Sequence, residues 1–113
     1  MKRLIRVGET DYQLLRQTEG FGAGMTMRDP PRLVINIPHH LDLNETLLHE
    51  LFHAVEHELI RQGRLDKESS EEYVEMVTTM LYQSLVRSGI MKMEVEWEQL
   101  NLFQVDPKTG AIT

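Results

Sequence analysis

The sequence predicts an α+β fold in which a small N-terminal antiparallel or mixed sheet of three to four strands packs on two main helices. Three observations carry this expectation. Short β-rich runs punctuated by Gly and Pro fill residues 3–37, apolar residues then recur at helical spacing over residues 43–63 and again over 69–88, and turn formers separate the two periodic stretches. At 113 residues the chain fits one domain spanning 1–113, with a loose or strand-like tail over 90–113.

Residues 3–7 and 12–17 read as strands joined by Gly8-Glu9-Thr10-Asp11, whose turn chemistry suits a hairpin. Gly20-Phe21-Gly22-Ala23-Gly24 lacks the spacing of a dinucleotide loop and no helical pattern opens after it, so a flexible turn is expected there. Pro30-Pro31 precedes Leu33-Val34-Ile35-Asn36-Ile37, a β-branched run closed by Pro38 and the clearest strand in the chain.

The first helix is expected to begin between Asp42 and Asn44, where Asp42 with Glu45 offers a capping box and Asn44 is a good N-cap. It should end near Gly63, with Leu47, Leu48, Leu51, Phe52, Val55 and Leu59 facing the core. A second helix is expected from about Ser69, where Ser69 and Glu72 match a capping box, to about Ser88, with Val74, Val77, Met80, Leu81 and Leu85 facing inward. Met76 and Met80 read as adaptable packing. Beyond Gly89, Met91, Met93, Val95 and Trp97 alternate with charged residues as in an edge strand, Trp97 is expected to be buried, and Asp106 to Gly110 are rich in turn formers.

The charge balance constrains partners. A net charge of −6 opposes electrostatic capture of nucleic acid, and Lys2, Arg3 and Arg6 read as solvated surface. No apolar run is long enough for a signal peptide or a membrane span, so cytoplasmic residence is the expectation, with no membrane partner. The absence of cysteine excludes disulfides and Cys-based metal sites, leaving His, Asp and Glu as metal donors.

Those donors occur in one distinctive pattern, Thr46-Leu47-Leu48-His49-Glu50-Leu51-Phe52-His53. Two histidines at i and i+4 project from one side of a helix, so both rings can bind one tetrahedral ion while Glu50 acts as base on an attacking water. His49 and His53 lie outside the expected apolar arc, which argues against two packed core histidines. A third donor is required. His57 would lie about 12 Å along the helix axis from His49, too far to share an ion, and a supporting or solvated role is expected for it. The acidic start of the second helix offers Glu71, Glu72 and Glu75, which an antiparallel helix hairpin could fold back over the histidines. His39-His40 read as an exposed loop pair.

Over residues 33–85 this arrangement resembles the gluzincins, zinc peptidases whose third ligand is a glutamate on a later helix. It looks most like the small phage and bacterial metallopeptidases and, more distantly, the ImmA/IrrE-type proteins. The chain differs from the latter at Val74-Glu75, where that pattern has Ala-Asn or Ala-Asp. The resemblance implies a minimal zincin-like fold, one zinc ion per chain held by His49, His53 and Glu71, and Glu50 as catalytic base. Glu71 fits the family's spacing best, together with Val74, Glu75 and Thr78, and Glu72 and Glu75 remain alternatives. The implied activity is zinc-dependent hydrolysis of peptide bonds in a peptide or protein substrate by a metal-activated water. The alternative is a zinc-binding regulatory or protein-interaction module without turnover. The resemblance further implies that the strand at 33–37 is a sheet edge pairing with extended substrate, with Tyr73, Tyr82 and His57 as candidate oxyanion stabilisers.

Overall fold

The computed structural model describes residues 3–17, 24–36, 43–90 and 101–103. The architecture is α+β, a mixed sheet with two helices. The strands are β1 (Arg3–Val7), β2 (Thr10–Gln17), β3 (Gly24–Arg28) and β4 (Pro31–Asn36), followed by α1 (Leu43–Arg61), α2 (Glu71–Leu85) and a short β5 (Asn101–Phe103). The expected strand at 91–97, the turn at 106–110, the placement of Trp97 and the His39-His40 loop all lie outside the described residues.

The sheet order is β1-β2-β4-β3. Val7 pairs with Thr10, so β1 and β2 form a hairpin on the two-residue turn Gly8-Glu9, tighter than the four-residue connection expected. Gly8 takes a φ of +61°, a conformation in which a Cβ would be strained. β4 runs parallel to β2, and β3 folds back antiparallel on the far side of β4 through Asp29-Pro30. β5 pairs in parallel with residues 15–17 of β2, the part of that strand that β1 does not cover.

Two expectations change here. Residues 24–28 form a strand, because Gly24 opens β3 instead of closing a turn. The strand at 33–37 is not a sheet edge: β4 has hydrogen-bonded neighbours on both sides, and β3 lies outside it. The turn at Asp29-Pro30 gives the physical reason, since it folds β3 onto the edge of β4 that β2 leaves open. Leu33 and Ile35 join Val7, Tyr12 and Leu14 under α1, while Val34 and Leu15 are buried on the opposite face. A strand apolar at successive positions is one covered on both faces.

α1 lies on this sheet with Leu47, Glu50, Leu51, Ala54 and Glu58 turned inward. The helix is therefore rotated from the expected apolar arc, since Val55 is exposed and Leu48, Phe52 and Leu59 are only partly buried. Hydroxyls of the sheet make this rotation possible by satisfying the inward carboxylates. Tyr12 Oη donates to Glu58 Oε2 at 2.8 Å and Thr10 Oγ1 to Glu58 Oε1 at 2.6 Å. Burial alone would raise the Glu58 pKa, but these two bonds and the nearby Arg61 hold it below the ordinary carboxylate value. Burial, with the Glu58 bond added, pushes the Tyr12 phenol upward. Tyr12→Phe removes one of two donors from a buried carboxylate and is expected to cost about 1–3 kcal/mol in urea unfolding.

α2 is shorter than the expected 69–88 and buries Val74, Thr78 and Tyr82 at i, i+4 and i+8. Met80 and Leu81, expected inside, are exposed, as is Met76. Its N-cap is Ser70, which accepts from Tyr73 N at 3.2 Å. Ser69 is engaged elsewhere, so the expected Ser69–Glu72 capping box does not form. No helix among the described residues is long and apolar enough to cross a membrane.

Candidate metal centre

Near the middle of α1 the chain carries His49, Glu50 and His53 past the start of β3, while the first residue of α2, Glu71, faces them from the returning helix. The helix repeat places both imidazoles on one side. Their Nε2 atoms lie 3.2 Å apart, with the rings edge to face at a centroid distance of 4.9 Å. Glu71 spans the pair: its Oε1 contacts His49 Nε2 and its Oε2 lies 3.0 Å from His53 Nε2. One donor atom from each of the three residues falls within 4.8 Å of the other two, so the group could hold a metal ion. Two neutral imidazoles and a carboxylate form a borderline-to-hard N/N/O set that suits zinc, and three protein donors leave a coordination position open. Glu72 and Glu75 are exposed and do not join the group.

Glu50 occupies a different environment from Glu71. Its side chain is buried, and it points inward against β3. Thr26 Oγ1 donates to both Glu50 Oε1, at 2.8 Å, and the Glu50 backbone carbonyl, at 2.9 Å, tying the strand to the helix at this residue. Burial raises the Glu50 pKa to about 7, with Glu71 adding to the rise, against the Thr26 bond and His53, which lower it. A carboxyl poised near neutrality can take and return a proton at physiological pH.

Gly24 makes room for that carboxyl. A Cβ there would lie 2.6 Å from the Val34 carbonyl oxygen, 3.2 Å from Glu50 Cγ and 3.3 Å from Glu50 Oε2. Gly24→Ala should therefore push β3 off β4 or displace Glu50, at a cost of about 1–3 kcal/mol in urea unfolding. Loss of the close approach should also show as altered backbone shifts at Thr26 and Glu50 in NMR spectra.

A pocket of about 360 Å³ opens between Gly24, Met25 and Thr26 on one side and Glu50, His53 and Glu71 on the other. His57 and Glu68 also line it. His57 is buried one turn beyond His53, joined through Nε2 to Glu68, and its Nδ1 has no hydrogen-bond partner among the described residues. It takes no part in the three-residue group, in keeping with a supporting role. Of the three candidate oxyanion stabilisers only His57 reaches the pocket: Tyr73 is half-exposed and Tyr82 is buried in α2.

Gly24, Thr26 and Glu68 were not legible as site residues in the sequence. The signal for the first two was Gly-Met-Thr-Met-Arg ahead of Asp29-Pro30, an alternating run before a turn that reads as a strand once the preceding glycines are set aside. No protein-family model matches the chain, and no curated protein or solved structure is detectably similar to it.

Proposed function

We propose that this chain is a zinc-dependent metallopeptidase, with His49, His53 and Glu71 as ligands and Glu50 as general base. The observation that carries the reading is the separation of two carboxylates by environment. Glu71 is exposed and spans the imidazole pair, whereas Glu50 is buried beside it and bonded to Thr26. One is placed to hold an ion with the imidazoles and the other to move protons.

Bound there, zinc would supply Lewis acidity, polarising a scissile carbonyl and acidifying water. Glu50 accepts the proton of the attacking water at its carboxylate and returns it to the leaving amine. Thr26 bonds Glu50 Oε1, which leaves Oε2, the oxygen beside Gly24, to take the proton. β3 has a single paired edge among the described residues and borders the pocket, so an extended peptide would add along β3, not along the interior β4.

The test is zinc content per chain of the purified protein, together with cleavage of an unstructured peptide pool. About one zinc per chain with chelator-sensitive cleavage supports the reading. One zinc per chain without turnover points to a binding module instead, and an unchanged melting temperature on chelation points to a chain that holds no metal.

A further inference from the structure

Glu56 is a buried carboxylate that the proposed chemistry does not use. It sits on α1 three residues beyond His53 and is only 5% exposed. Its oxygens accept from the Ser69 backbone N–H, at 3.2 and 3.3 Å, and Oε2 accepts from Ser69 Oγ at 2.6 Å. The next residue of α1, His57, joins Glu68. Two consecutive residues of the helix thus grip two consecutive residues of the connection leading into α2.

The proposed metal ligand lies just beyond this grip. Ser70 caps α2 and Glu71 is its first residue, at most about 7 Å of extended chain from Ser69. Ser70, Glu71, Glu72 and Tyr73 are all exposed, so packing does not locate this first turn. The next fully buried side chain is Val74. Glu71 is therefore held between Val74 after it and two contacts before it, Glu56–Ser69 and, one residue further back, His57–Glu68. Without the Glu56–Ser69 contact, the first turn of α2 would lose the nearer of the two and could swing away from His49 and His53.

We propose that Glu56 is a positioning residue for the metal centre, acting through Ser69 to bring Glu71 over the two imidazoles. The inference rests on the metal reading above. A glutamate that only stiffened the helix hairpin would affect stability without a specific link to Glu71, and this difference can be measured.

Zinc affinity, from competition with a chromophoric chelator, is compared among wild type, Glu56→Gln, Glu56→Ala, Glu71→Ala and the Glu56→Ala/Glu71→Ala double variant. Glu56→Ala is expected to bind zinc about 10- to 100-fold more weakly. Glu56→Gln, which keeps an acceptor for Ser69, should stay within a few-fold of wild type. In the Glu71→Ala background, adding Glu56→Ala should cause no further loss, because the two act in series. Additive losses, or an unchanged affinity in Glu56→Ala, overturn the proposal. Should Glu56→Ala fail to fold, Ser69→Ala removes the hydroxyl donor alone and is expected to show a smaller loss, again absent once Glu71 is gone. Amide exchange in the metal-free protein separates this idea from the metal reading. Faster exchange confined to residues 69–73 in Glu56→Ala supports the anchor, and unchanged exchange there overturns it. A wild type that takes up no zinc overturns the metal reading instead.

Discussion

Replacing Glu50 with glutamine is expected to lower peptide hydrolysis by about 10²- to 10⁴-fold while zinc affinity stays within a few-fold of wild type. Glutamine keeps the shape of the side chain and an oxygen to accept from Thr26, so the link between β3 and α1 survives. It cannot accept a proton from water. The same substitution should change how the metal-free protein responds to pH. The folded-state pKa of Glu50, about 7, lies above its ordinary value of 4.5, so the folded state binds this proton more tightly than the unfolded chain. The stabilisation is fully present below about 4.5 and is lost as pH rises through about 7. Urea unfolding of metal-free wild type should therefore show a loss of up to about 3 kcal/mol across that window, and Glu50→Gln should lack it. A glutamine variant with undiminished turnover would remove Glu50 from the chemistry.

His53→Ala is expected to have the larger effect on the metal itself. The His53 ring is mostly buried, its Nε2 lies 3.2 Å from that of His49 and 3.0 Å from Glu71, and no other imidazole among the described residues reaches the group. Removing one of three protein donors should weaken zinc binding by about 10³-fold or more, given the roughly 10–16 kcal/mol of complete structural zinc sites. Hydrolysis should fall to background, and the melting temperature should lose its response to added zinc. Glu72→Ala and Glu75→Ala serve as controls: both residues are exposed on α2 away from the group, and each should bind zinc as wild type does.

The imidazole pair and Glu50 were legible because the i, i+4 repeat is a local property of a helix, and the cap formers at 42–44 and Gly63 mark the two ends of that helix in the sequence, although Asn44 itself lies inside its first turn. Long-range geometry was harder to read. Glu71, Glu72 and Glu75 are chemically equivalent in the sequence. Only the true cap, Ser70 in place of Ser69, and the phase of α2 against α1 distinguish them in space.

The rotation of α1 was hidden for a related reason. An apolar count places Leu48, Phe52 and Val55 inside, yet Glu50 and Glu58 turn inward because Thr26, Thr10 and Tyr12 await them on the sheet. Cross-element hydrogen bonds of this kind leave no periodic trace. The burial of β4 on both faces could have been read, since Leu33-Val34-Ile35 is apolar at successive positions, whereas its place between β2 and β3 rests on long-range pairing. The family resemblance pointed to an edge and was misleading there.

The central claim is that one zinc ion is held jointly by two side chains of α1 and one of α2. The most direct measurement is an anomalous difference map at the zinc absorption edge from crystals grown with the metal. The account predicts a single strong peak about 2.0–2.2 Å from the Nε2 atoms of His49 and His53 and from a Glu71 oxygen, with Glu50 beside the ion but not ligating it. A vacant site, or zinc held without Glu71, would contradict it.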